Sequence, residues 1–131
     1  MGLDRTTTEV VRRRFPHGDP AMPLRHTARE ALLEELGEAD STTLLGDVLV
    51  VISELVQNVT QHTDGDGELI VSLVTGSVLV EVGDTDPAFP LPKAADPLGD
   101  GGRGLRLIAA LARDWGVRTC PRGKVVWAQL S

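Results

Sequence analysis

Leu44–Thr63 reads LLGDVLVVISELVQNVTQHT, and its apolar residues Leu44, Leu45, Val48, Leu49, Ile52, Leu55, Val56 and Val59 recur at i, i+3, i+4, i+7. That rhythm predicts a long helix packed on a core. At about 100° per residue, Asp47, Glu54, Asn58 and Gln61 fall into one narrow polar stripe. Glu54 and Asn58 are one turn apart on it. A carboxylate and a carboxamide sharing a face can take a proton and offer an oxygen to a hard cation such as Mg²⁺. A solvated stripe on an amphipathic helix has the same composition. The rest of the chain decides between the two.

Before the helix, Thr7–Phe15 is rich in β-branched residues and stops at Pro16, which predicts an edge strand. Residues 16–23 form a loop, and Leu24–Gly37 keeps helical spacing with Gly37 as its stop. Ser41 or Thr42 offers a cap to the central helix. After the turn DGDG at 64–67, Glu68–Val74 and Val78–Val82 are two β-rich runs joined by Thr75-Gly76-Ser77, a hairpin signal. Thr85–Asp100 holds four prolines, and a loop this long inside one domain is usually functional or disordered. Leu105–Ala112 follows as a helix, then strands from Trp115 and over Lys124–Leu130. The order β-α-α-β-β-loop-α-β-β predicts an α+β two-layer sandwich, an antiparallel or mixed sheet with helices on one face. One domain over 1–131 is expected, with residues 1–6 as a frayed leader.

A net charge of −6 argues against a general binder of nucleic acid or anionic membrane, because phosphate contacts need clustered cations and Arg12–Arg14 is the only basic run. With no Tyr and four large aromatics, base-stacking platforms are not expected either. One cysteine, Cys120, excludes an internal disulfide framework and suits a reducing cytosol; it reads as a buried or edge residue, not a nucleophile. No run is read as approaching the roughly 18 apolar residues of a membrane span, and no secretory signal is recognised. A cytoplasmic protein is expected.

Two further features join Glu54 and Asn58. Asp84 ends a hydrophobic strand, where a carboxylate can accept from an amino group such as that of adenine. Gly99, Gly101, Gly102 and Gly104 precede a helix, and a glycine-rich turn there exposes N–H groups that suit a phosphate. No βαβ dinucleotide fingerprint and no P-loop are present.

Taken in order, ELVQNVTQH (54–62), VEVGDTDPAFP (80–90) and GDGGRGLRLIAALARDWGVR (99–118) resemble the N-box and two glycine boxes of the histidine-kinase-like (GHKL, Bergerat-fold) ATPase domains. Within them, the chain looks like the anti-sigma-factor serine/threonine kinases. The resemblance implies Glu54 as general base, Asn58 as the Mg²⁺ ligand and Asp84 as the adenine-reading carboxylate. It implies Gly102, Arg103, Gly104 and Leu105 as the motif at the phosphates, and 85–101 as a lid. ATP and Mg²⁺ are the implied cofactors; a sigma factor, an anti-anti-sigma (STAS-type) protein and a second copy of the chain are the implied partners. The sequence departs from the pattern at Gln61, where many relatives have Arg, at Val125, where relatives usually carry Thr, and at Asp86-Pro87 in the first glycine box. Two functions therefore stay open: a kinase, and a protein-binding regulator with weakened nucleotide chemistry. A stray histidine-kinase module fits less well, because His17, His26 and His62 are not in a dimerising-helix context.

Overall fold

The computed structural model describes residues 7–16, 18–36, 42–62, 66–84, 102–120 and 123–131. At positions 42, 61, 62, 84, 102–105 and 120 only the backbone is described. Among the described residues, five strands and three helices follow in the order β1 (Thr7–Phe15), α1 (Met22–Leu36), α2 (Thr42–His62), β2 (Gly67–Val74), β3 (Ser77–Asp84), α3 (Gly102–Leu111), β4 (Asp114–Cys120) and β5 (Gly123–Leu130). The sheet order is β1-β2-β3-β5-β4, and all four pairings are antiparallel. The architecture is the expected α+β sandwich, in its antiparallel form. Residues 1–6 lie outside the described residues.

Most element ends fall within a residue or two of the sequence reading, and three differences bear on the site or the turns. α1 begins at Met22, ahead of the expected Leu24, because Pro23 falls in its first turn, where no intrahelical N–H is needed. The hairpin is tighter and longer: Val74 pairs with Ser77 across Thr75-Gly76, Gly76 takes a φ of 77°, and β3 continues to Asp84. α3 begins at Gly102, so Gly102 and Gly104 belong to its first turn and not to a bend before it.

One core joins the layers. Among the described side chains, α2 places seven in it (Leu45, Val48, Val51, Ile52, Leu55, Val56, Val59), against four from α1 and α3 together (Leu24, Ala28, Leu32, Ile108). Burying each Leu, Ile or Val contributes about 1.5–3 kcal/mol, so α2 is the dominant helix of the core. By length and composition, Thr43–Thr60 is apolar enough to cross a membrane, which corrects the expectation of no such run. Its apolar side is covered instead by the sheet, as the contacts of α2 with β2, β3 and β5 show.

The opposite face of the sheet carries the cross-strand rows Arg12–Ile70–Glu81–Trp127–Gly116 and Arg14–Glu68–Gly83–Val125–Arg118. Long charged side chains close over its apolar stripe. Arg12 pairs with Glu9 at 2.8 Å and Glu68 at 3.3 Å, and Arg118 with Glu81 at 2.6 Å. The Trp127 indole lies against Gly116, where an added Cβ would come within 3.0 Å of it. At the outer edge, β1 is bulged between Glu9 and Val11.

Candidate functional site

Antiparallel register brings several positions singled out in the sequence to one end of the sheet. β2 starts at Gly67 shortly after α2 ends, β3 returns to set Asp84 opposite Gly67, and β5 sets Lys124 opposite Asp84. With Phe15 opposite Gly67, the end row reads Phe15–Gly67–Asp84–Lys124. It stands in step with Val82 and Val126 on the core side, two residues along each strand. The C-terminal end of α2 and the end of β3 therefore meet at this edge. Gly67 is needed here: an added Cβ would lie 2.7 Å from Cε2 of Phe15, so the buried ring packs where any side chain at 67 would stand.

On α2, Glu54 and Asn58 are both half-buried, flanked by Val51, Leu55 and Val59, each at most 1% exposed. One residue before Glu54, Ser53 donates to the Leu49 carbonyl at 3.1 Å and accepts from the Arg25 guanidinium at 3.3 Å, tying the start of α1 to this turn. Asn58 shows the clearest anomaly. Its Nδ2 is buried and has no hydrogen-bond partner among the described residues. Leaving such a group unsatisfied costs about 1–3 kcal/mol, which natural sequences tolerate where a ligand completes the shell. A half-turn of the carboxamide exchanges its NH₂ for its oxygen, so the same position can present an acceptor. This fits a cation that takes one protein oxygen and keeps its other positions for phosphates and water, the way Mg²⁺ is usually held. Among the described residues no three His, Cys, Asp or Glu side chains gather into a metal cage.

α3 ends beside the far end of β5, where the Arg113 N–H donates to the Gln129 carbonyl at 2.8 Å. Its ten residues put the first turn, residues 102–105, about 15 Å from that point. That turn holds no acidic residue, so its free N–H groups keep a net positive end. α3 packs on α2 with Ile108 in the core. The side chains of Asp84, Arg103 and Leu105 lie outside the described residues' side chains, as do residues 85–101 with their expected lid and Asp86-Pro87. So do the side chains of Gln61, His62 and Cys120.

The register also places one of the departures noted in the sequence. Val125 belongs to the opposite face, where its Cγ2 is 3.4 Å from a Cβ built on Gly83, and not to the face that carries Lys124. The residue beside Asp84 is Lys124, which the sequence reading passed over. The period-two alternation of Val126, Ala128 and Leu130 carried the signal. A separate cavity of about 420 Å³, lined by Leu36, Leu44, Leu73 and Val78 among others, sits at the hairpin end and touches none of these positions.

Residues 20–130 match the sequence model of the histidine kinase-like ATPase domain. The chain belongs to that family. A comparison with curated proteins found no match. Membership of the histidine kinase-like ATPase family implies an ATP-binding domain, usually one that binds ATP with Mg²⁺.

Proposed function

We propose that this ATPase domain is a regulatory serine/threonine protein kinase that binds Mg-ATP, sequesters a sigma factor and phosphorylates an anti-anti-sigma partner of the STAS type. The observation that carries the reading is the half-buried Glu54–Asn58 pair with its orphaned carboxamide. Asn58 is the residue that would hold Mg²⁺, which would supply positive charge to offset that of the phosphates. Asp84 takes the adenine amino group, and the first turn of α3, with Gly102, Arg103, Gly104 and Leu105, binds the phosphates. Glu54 accepts the proton of the substrate hydroxyl. That oxygen then bonds to the γ-phosphorus as the bond to the β–γ bridging oxygen breaks, leaving phosphoserine or phosphothreonine and ADP. A second copy docked through β1 and α1, and a cytoplasmic location, complete the proposal.

Purified protein with γ-labelled Mg-ATP and a panel of STAS-type proteins tests it. Label is expected on one partner with wild type and lost with Glu54→Ala. Absence of transfer to every partner, with ATP bound, would leave the sequestering regulator. That second reading draws on Gln61 and Asp86-Pro87, which depart from the kinase pattern.

A further inference from the structure

We propose that Lys124 reads the nucleobase, donating to the ring acceptor next to the amino group that Asp84 takes. The proposal rests on the edge being an ATP site, and it concerns a residue that the resemblance does not assign. Lys124 and Asp84 are directly opposed across β3 and β5. Opposed residues of an antiparallel pair project to one face with Cβ atoms about 4.5–5.5 Å apart. Val126, Ala128 and Leu130 alternate into the core, so Lys124, two residues before Val126, stands on the helix side and is half-buried.

The base complements this pair. The edge of adenine sets a donor, the N6 amino group, beside an acceptor, N1. A carboxylate alone reads only the donor. A carboxylate with an ammonium beside it offers an acceptor and a donor in the same order. A carboxylate accepts about four hydrogen bonds and an ammonium has three donors, so the pair has the capacity to serve a base and each other together. Lys124 is already engaged within the protein, and an ammonium, with three donors, can serve a base as well as another partner. The competing physical outcome has the opposite sign: an ammonium that only neutralises Asp84 weakens its hold on the amino group.

The test is a cycle with one atom removed from the ligand. Calorimetry on the full chain with Mg²⁺ compares ATP with 1-deaza-ATP, which keeps N6 but lacks the N1 acceptor, for wild type, Lys124→Met and Lys124→Arg. Wild type is expected to prefer ATP by about 10- to 100-fold, the range for a hydrogen bond to a charged group. Lys124→Met should bind both within twofold, and Lys124→Arg should keep part of the preference. Wild type that binds ATP with no preference over 1-deaza-ATP overturns the inference, whether or not the variants fold. Lys124→Met that keeps the preference, or binds ATP more tightly than wild type, overturns it too. Wild type that binds neither ligand is a different result: it removes the nucleotide reading of the edge, and this inference with it.

Discussion

Replacing Asn58 by leucine should separate what the fold needs from what a ligand needs. Leucine matches asparagine in side-chain heavy-atom count and in branching at Cγ but carries no polar group. It removes an Nδ2 that is buried without a partner among the described residues. The relief is about 1–3 kcal/mol if the orphan bears its full penalty. For a chain of 131 residues, 1 kcal/mol moves Tm by roughly 3–5 °C, so the variant should melt about 3–15 °C above wild type without nucleotide. Ligand reverses the order. At 100 times Kd, Mg-ATP stabilises wild type by about 2.7 kcal/mol, and the variant should lose most of that gain. Scanning calorimetry with and without Mg-ATP reads both limbs. A lower melting point without ligand refutes the unsatisfied-donor reasoning, because the amide would then be serving the fold. A nucleotide shift as large in the variant as in wild type refutes its role as a ligand. A stabilising substitution that abolishes binding is the signature of a residue kept for function.

Three more outcomes follow from the packing and the charges. Gly67→Ala should cost about 1–3 kcal/mol in urea unfolding, because the Phe15 ring it meets is itself 2% exposed and cannot retreat. Adding Phe15→Leu should recover part of that loss, and strict additivity would show that the clash is not the cause. The Arg118–Glu81 pair spans β5 with its arginine 53% exposed, so a double-mutant cycle should give a coupling of only about 0.2–1 kcal/mol, smaller still in high salt. A larger coupling would mean that the pair is shielded from water. Glu9 accepts from the Arg12 guanidinium, which holds its carboxyl below the usual carboxylate range. A folded pKa that is depressed stabilises above the unfolded pKa, and the gain is lost as pH falls through the folded value. The Glu9 carboxyl followed by NMR should titrate below the ordinary midpoint and return to it in Arg12→Ala; the same midpoint in both would refute the pairing.

The fold was legible because its signals were periodic. Residues 7–15 kept their β-branched strand as written, and the helical spacing of Leu45, Val48, Ile52, Leu55, Val56 and Val59 predicted the buried side of α2. Val51 was missed because a stripe wider than the i, i+3, i+4 seam is buried when a helix lies flat on a sheet. Glycine misled at residue 102. Its helix penalty, about 1 kcal/mol relative to alanine, predicts a break, yet the apolar face of Leu107, Ile108 and Leu111 extends the helix back through it. In the site, Glu54 and Asn58 could be paired from sequence because they share one helix. Asp84 and Lys124 could not, being 40 positions apart and joined only by a strand register that no local pattern states.

Glu54 and Asn58 sit on the same helix that builds the core, and this bears on how the edge can work. Val51, Leu55 and Val59, each at most 1% exposed, lock α2 against the sheet. Neither side chain can be carried far by a loop movement, and their spacing is that of one helical turn whether or not ligand is present. The same packing forbids the helix from sliding to satisfy Nδ2 of Asn58, since any shift would pull seven apolar side chains out of place together. A buried donor left open is thus a consequence of rigidity: the core holds the amide where the fold gains nothing from it. Adaptation to a bound ligand must then come from elements other than this helix.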